Sequence, residues 1–223
     1  MSDLALCIVV PIYNHGKQLY KTISNLATFN LPIILVDDGS DTETKRVIAK
    51  VVDEFKQIKK CKTLDDNMGK GVAVTVGVNI AFHYDYTHIF QIDADGQHDF
   101  ADIPKFIQEM KKHPKALISG MPIYDHTIPK SRLHGRKITN FWVTVETLTM
   151  KITESMCGFR IYPVIKYLEV SNRKNFASRM NFDIDIIVRM YWSGININYI
   201  KTKVIYPADG HSNFRMVKDN ILI

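Results

Sequence analysis

Two aspartates two residues apart, Asp93 and Asp95, follow the short apolar run His88 to Ile92, with Gln97 close behind. Side chains alternate with a period of two in extended chain, so both carboxylates are expected on one side. There, with the Gln97 amide oxygen, they could hold a divalent cation. Mg2+ or Mn2+ takes hard oxygen ligands and keeps waters and substrate phosphates in its shell, so this small donor set suffices and a diphosphate would complete it. Asp-x-Asp also arises by chance in acidic loops, so the pair gains weight only from its neighbours. Asp37-Asp38-Gly39-Ser40 is a second acidic turn. Read plainly, it is a turn whose Ser40 or Asp41 caps the next helix; read chemically, a carboxylate at a strand's end can accept hydrogen bonds from a base or ribose. Asn67-x-Gly69-Lys70-Gly71 could bring backbone N–H groups and a lysine charge to a phosphate, or could simply open a helix.

The elements around these motifs repeat one pattern, an apolar run, a polar turn, then apolar residues at helical spacing. Ala5 to Ile12 reads as a buried strand, and Leu19, Ile23, Leu26 and Ala27 put one stripe on the next helix. Pro32 to Val36 is the second strand. Thr42 to Phe55 is a helix with Val47, Val51 and Phe55 aligned, and Ile58 to Leu64 is a weaker strand. Lys70 to Tyr84 is a helix with Val72, Val76 and Ile80 aligned, and His88 to Ile92 is strand four. This βα alternation predicts an α/β fold with a mostly parallel sheet, ligands lying at the strands' carboxyl ends. All three polar turns fall there. Beyond strand Ala116 to Gly120, the stretch Met121 to Gly135 reads as a long loop, Ile138 to Met150 as a helix, Cys157 to Tyr162 as a strand and Phe182 to Ser193 as a helix ended by Gly194.

In this order the motifs resemble glycosyltransferase family 2, with its GT-A fold. Val10-Pro11-Ile12-Tyr13-Asn14, Val36-Asp37-Asp38-Gly39-Ser40, Asn67-x-Gly69-Lys70-Gly71 and Asp93-Ala94-Asp95-Gly96-Gln97-His98 are similar to that family's nucleotide-sugar half. Ser131-Arg132, Asn140, Cys157-Gly158-Phe159-Arg160 and Gly210-His211-Ser212 are similar to the acceptor half of its dolichyl- and polyprenyl-phosphate branch. Pro207 stands where that branch usually has arginine, Asn213 where it has lysine and Cys157 where it has serine; Arg215 remains nearby. The resemblance implies one domain over residues 1–223, with a nucleotide-sugar half at 1–120 and an acceptor half at 121–223. It implies that Pro11, Tyr13, Asn14, Val36, Asp38, Lys70, Asp93 and Ala94 surround the nucleotide sugar. Asp93, Asp95 and Gln97 would hold Mn2+ or Mg2+, and Arg132, Arg136, Arg160 and Arg215 would meet the diphosphate or an anionic acceptor, as guanidinium binds phosphate bidentately.

Two further acids bear on the acceptor. On a helix, residues two apart face nearly opposite ways, so at most one of Asp183 and Asp185 points into a site. Asp183 shares its face with Ile186, Ile187 and Met190, whereas Asp185 sits four residues before Arg189, a ready partner. Asp183 also matches the second acid of the Glu-Asp motif that supplies the base in hydroxyl-accepting members, with Phe182 in place of the glutamate. An alignment to the polyprenyl branch selects Asp185 instead, and either acid could simply suit the helix dipole. The expectation is an inverting, metal-dependent transfer from a nucleoside diphosphate sugar to a lipid-linked or glycan acceptor, with Asp183 as base. A phosphate acceptor would need no base. A nucleotidyltransferase and a non-catalytic nucleotide-sugar-binding module are the readings outside this class.

Composition fits these expectations without choosing among them. With 46% hydrophobic and 23% charged residues the chain is neither disordered nor fibrous. Three scattered cysteines make no disulfide framework or zinc spacing. No apolar run approaches the ~18 residues of a membrane span, and the N-terminus lacks the marks of a signal peptide. A cytoplasmic location is therefore expected. The +6 charge suits phosphorylated substrates, nucleic acid or an anionic membrane; with the resemblance, it implies peripheral attachment to the inner face of the membrane and no nucleic acid partner. Met180, Met190, Tyr191 and Trp192 read as core more readily than as a lipid rim, and His211 is a weak further metal ligand.

Overall fold

The computed structural model describes residues 4–124, 128, 130–179 and 181–204, without the side chains of 130–132. Chain order is β1 (Leu6–Ile12), α1 (Gly16–Ala27), β2 (Ile33–Asp37), α2 (Thr42–Glu54), β3 (Ile58–Thr63), α3 (Lys70–His83), β4 (His88–Gln91), a 3₁₀ turn (Phe100–Asp102) and α4 (Ile103–Lys112). It continues with β5 (Leu117–Tyr124), α5 (Lys130–Thr147), β6 (Arg160–Pro163), α6 (Val164–Ser171), α7 (Phe182–Trp192) and β7 (Ile197–Val204). The strands form one sheet in the order β3-β2-β1-β4-β6-β5-β7. All neighbours are parallel except β6, which runs antiparallel to β4 and β5.

Alternation along β1 explains the two-layered core. Cys7 and Val9 join one buried cluster with α3, α6 and α7, whereas Leu6, Ile8, Val10 and Ile12 join another with α1, α2 and α4. The side chains that face the sheet from α3 differ from the expected stripe. Gly71, Ala73, Val74, Gly77, Val78 and Ala81 are buried, while Val76 and Ile80 pack only at its margin. Small residues let the helix approach closely: a Cβ on Gly77 would collide with the Val9 methyls. The edge strand β3 exposes Lys59, Lys60 and Lys62, charges that discourage pairing with another chain.

The second half departs further from expectation. The stretch Met121 to Gly135 is not one loop: β5 continues to Tyr124 and α5 begins at Lys130. Pro122 disguised the strand, yet β6 pairs with β5 only at Ile118 and Ser119. At Pro122 the strand is paired with β7 alone, so a missing N–H is tolerated. The strand expected at Cys157 starts only at Arg160, and α4, α6 and β7 are additional to the sequence reading.

Candidate active site

The turns after β1, β2 and β4 and the start of α3 meet at the carboxyl end of the sheet. The first two are tied together by Asn14, whose side chain accepts the Asp41 N–H at 2.8 Å and whose own N–H donates to Ser40 Oγ at 3.1 Å. Asn14 holds a left-handed φ of 55°, which asparagine tolerates. Asp38 accepts the N–H groups of Met68 and Gly69, both at 2.8 Å, and so anchors the loop that opens α3. Burial lifts its carboxyl above the ordinary carboxylate range despite these donors. The Gly71 N–H is taken by the Ser178 carbonyl at 2.7 Å. The N–H groups of Met68, Gly69 and Gly71 are thus engaged within the protein and are not free to cradle an anion. What the loop offers is the Lys70 side chain.

Lys70 Nζ lies between two acids, 2.8 Å from Asp93 Oδ2 and 2.7 Å from Asp183 Oδ2. Asp183 Oδ1 accepts from Gln91 Nε2 at 3.2 Å, and Gln91 in turn accepts from the Tyr162 hydroxyl. Burial works against the Lys70 charge, but the two carboxylates outweigh it and hold its pKa above the ordinary lysine range. Burial likewise pulls Asp183 up, and Lys70, Arg160 and the bond from Gln91 more than offset this, holding its carboxyl below the usual range. Asp93 is shifted the other way, raised by burial and by Asp183 and Asp95 beyond what Lys70 reverses.

Asp93, Asp95, Gln97, His98, Tyr124, Arg136 and Gly158 line one cleft. Strand β4 ends at Gln91, so a turn, rather than extended chain, brings both carboxylates to this cleft. Asp95 Oδ1 accepts the Gln97 N–H at 3.0 Å, which closes the turn. Asp93 Oδ1 and His98 Nδ1 are buried without a hydrogen-bond partner, and the His98 ring stacks on Phe159 at 4.8 Å. Among the described residues no cluster of three acidic, histidine or cysteine side chains forms a complete metal shell. A buried carboxylate oxygen with no partner, beside a second carboxylate and an amide, nevertheless fits a cation whose remaining ligands come from phosphate and water. Gly158 is required by proximity, since a Cβ there would collide with Asp93 Oδ2 and Lys70 Nζ.

Several expected contacts take another form. Val36 is fully buried within the core beneath α3, and Pro11 is buried opposite it in register. Their side chains therefore shape the sheet and do not line the cleft. Ala94 is buried, its carbonyl accepting from Thr22 Oγ1 at 3.3 Å; Tyr13 is half-buried. Arg160 is a correction: it is fully buried, and its guanidinium donates to Ser119 Oγ, the Tyr162 hydroxyl and the Ser155 and Asp183 carbonyls. Those bonds tie β6 to β5 and α7 and leave nothing for an anion. Arg136 does line the cleft, held by Glu154 at 2.6 Å and set over the Tyr124 ring. The side chain of Arg132, and Arg215 with Gly210-His211-Ser212 and Pro207, lie outside the described residues, as does Met180.

Asp185 faces away from Lys70. It pairs with Arg189 at 2.6 Å and accepts the Ala177 N–H at 2.7 Å, fixing the loop that lies against Gly69 and Gly71. Gln91, Glu154 and Tyr162 were not singled out from sequence, although a glutamine inside an otherwise apolar strand is the kind of signal that marks Gln91. Met190 is fully buried and Trp192 exposed, so these residues make no continuous rim.

Comparison with known proteins gives a consistent picture. The sequence pattern described as "Glycosyl transferase family 2" matches residues 7–185. The chain is 26% identical over 221 residues to the UDP-N-acetylglucosamine–dolichyl-phosphate N-acetylglucosaminyltransferase of Methanococcus voltae, covering 92% of this chain and 88% of that one. It is 24% identical over 212 residues to the dolichyl-phosphate beta-glucosyltransferase of Dictyostelium discoideum, covering 84% of this chain and 62% of that one. Among solved structures, glucosyl-3-phosphoglycerate synthase of Mycobacterium tuberculosis, in complex with Mn2+ and UDP-glucose, superposes with a TM-score of 0.70 at 12% identity, over 93% of this chain and 74% of that one. That last likeness is one of fold.

Proposed function

The chain belongs to glycosyl transferase family 2 and has the GT-A fold, and we propose that it moves a sugar from a nucleoside diphosphate donor onto a polyprenyl phosphate, with inversion at the anomeric carbon. Asp93 and Asp95, with Gln97, would hold the divalent cation. That ion supplies charge neutralisation for the departing diphosphate. The orphaned Asp93 oxygen and the Mn2+ in the complex of the related fold support this assignment. Arg136, which lines the cleft, and Lys70, bonded to the cleft residue Asp93, are the protein cations that would meet phosphate oxygens. Tyr13, Asn14 and the turn fixed by Asp38 are the proposed nucleotide contacts.

The observation that carries the choice of acceptor is the state of Asp183. A general base must be ionised, exposed to the proton it removes and of suitable basicity. Asp183 is buried, neutralised by Lys70 at 2.7 Å, and held below the usual carboxylate range. A phosphate acceptor, already ionised at neutral pH, attacks without a base. In this reading Asp183 positions Lys70, and the order of the two acceptor chemistries expected from sequence is reversed. The likeness to dolichyl-phosphate glycosyltransferases supports the same reading.

Offering UDP-, GDP-, CMP- and dTDP-linked sugars with Mn2+ or Mg2+ to a short polyprenyl phosphate and to the matching alcohol tests the proposal. Product on the phosphate alone is expected. Product on the alcohol, at comparable rate, restores the hydroxyl reading and with it a second role for Asp183, freed if Lys70 turns towards the diphosphate.

A further inference from the structure

The helix that carries Arg136 into the cleft presents a second face that no described residue covers. Ile138, Phe141, Trp142 and Val145, spaced by three and four, lie on one side of α5, and each is exposed. The inner side of the same helix is made by Thr139, Val143 and Thr147, which are buried. The outer residues are therefore not the edge of a core stripe. The stripe runs on into the turn after the helix, where Leu148 is 91% exposed and Met150 76% exposed. Leu148 holds a φ of 51°, a left-handed conformation that turns usually assign to glycine or asparagine. A large apolar side chain kept there in solvent has no use within the described fold.

We infer that this face, Ile138, Phe141, Trp142, Val145, Leu148 and Met150, docks the protein on an anionic lipid bilayer. The inference rests on the proposed lipid-linked acceptor and names the surface that would bring it to the cleft. Two features select a bilayer. Phe141 and Trp142, ring centroids 5.6 Å apart, are of the aromatic kind that settles at the membrane–water boundary. Exposed Lys137 and Lys151 flank the stripe against a single exposed acid, Glu146, and the chain carries +6 overall, so the net balance favours anionic headgroups. The face also lies within one helical turn of the cleft residue Arg136, although Ile138, two positions on, projects from the opposite side of α5. Among the described residues no helix is long and apolar enough to cross a membrane, so the docking is a surface attachment.

The chain has two tryptophans, so Trp192→Phe in the full chain leaves Trp142 as the reporter. Vesicles of phosphatidylcholine with phosphatidylglycerol should shift Trp142 emission to the blue, brominated acyl chains should quench it, and high salt should release the protein. Phe141→Ser combined with Leu148→Ser should lower vesicle binding at least ~10-fold with thermal stability retained, because both side chains lie in solvent. Unchanged emission, or a double variant that binds like the wild type, overturns the inference. So does Trp142 emission that is already blue and shielded from acrylamide in the free protein, which would mean that residues 205–223 or a second copy cover the face; sedimentation separates those two. Transfer to a water-soluble short-chain polyprenyl phosphate should be unchanged in the double variant. If that transfer occurs without vesicle binding, docking alone fails; if docking occurs without transfer to phosphate, the acceptor reading fails.

Discussion

Two pairs of aspartates, each separated by one residue, have opposite fates in this molecule. Asp93 and Asp95 lie on a turn after β4 and both reach the cleft, with one Asp93 oxygen buried and unpartnered. Asp183 and Asp185 lie in the first turn of α7 and diverge, Asp183 to Lys70 and Gln91, Asp185 to Arg189 and the Ala177 N–H. The same spacing converges on a turn and splits on a helix. The larger lesson concerns spare bonding capacity. Asp93 shares Lys70 with Asp183 yet keeps one oxygen unused at the cleft, where a ligand can take it, whereas both oxygens of Asp183 are taken by Lys70 and Gln91 and belong to the frame.

The contrast can be broken most severely at the first pair. Asp93→Asn or Asp95→Asn should cut metal-dependent turnover by ~10²-fold or more, since cation stabilisation of a leaving diphosphate is worth several kcal/mol; titration calorimetry showing unchanged metal-dependent donor affinity would remove these residues as ligands. Gly158→Ala strikes where the pairs meet. Its Cβ would press on Asp93 and Lys70, so donor affinity should fall sharply and stability by ~1–3 kcal/mol, read by calorimetry and thermal melts.

The second pair should show itself in stability against pH. Asp183 has a folded pKa below its ordinary value of 3.8, so its stabilisation is present above that value and is lost as pH falls through the folded one. Lys70 is raised above 10.5, so its stabilisation is present below that value and is lost only as pH rises through the raised one. Between these limits the pair stays charged. Asp93, shifted upward, relieves repulsion on acidification and offsets part of the loss. Melting temperature followed from pH 7 into acid, below ~4, should fall more for the wild type than for Asp183→Asn. Parallel curves would deny Asp183 its ion pair. The smallest expected effect is that of Asp185→Asn, about 1 kcal/mol in a denaturant titration, with turnover nearly intact.

Sequence disclosed the first half of the fold better than the second for a physical reason. Strands β1, β2 and β4 are buried and α1 and α2 are amphipathic, and the polar turns after β2 and β4 fall at the strands' ends. Even there the apolar spacing points to the wrong face of α3, because close approach to Val9 requires Gly77 while the more apolar Val76 and Ile80 lie at the margin. In the second half Pro122 hides the last residues of β5, beyond the strand read at Ala116 to Gly120, and the polar start of α5 from Lys130 hides the first two turns of a helix legible only from Ile138. The divergence of Asp183 and Asp185 was legible because it needs only helical geometry and a partner four residues on. The internal role of Arg160 was not, since its partners at Ser119, Ser155 and Asp183 are brought together by pairing of distant strands. Nor could spacing tell that Asp38 turns inward to Met68 and Gly69.

The central claim is that Asp183 positions Lys70 and takes no proton from the acceptor. Turnover of Asp183→Asn with a polyprenyl phosphate acceptor, measured beside wild type at saturating donor and metal, tests it most directly. The account predicts a rate within about tenfold of wild type, because an ionised phosphate needs no general base. A loss of ~10²–10⁴-fold in a variant that still folds and binds donor normally would contradict it and return Asp183 to the role of base.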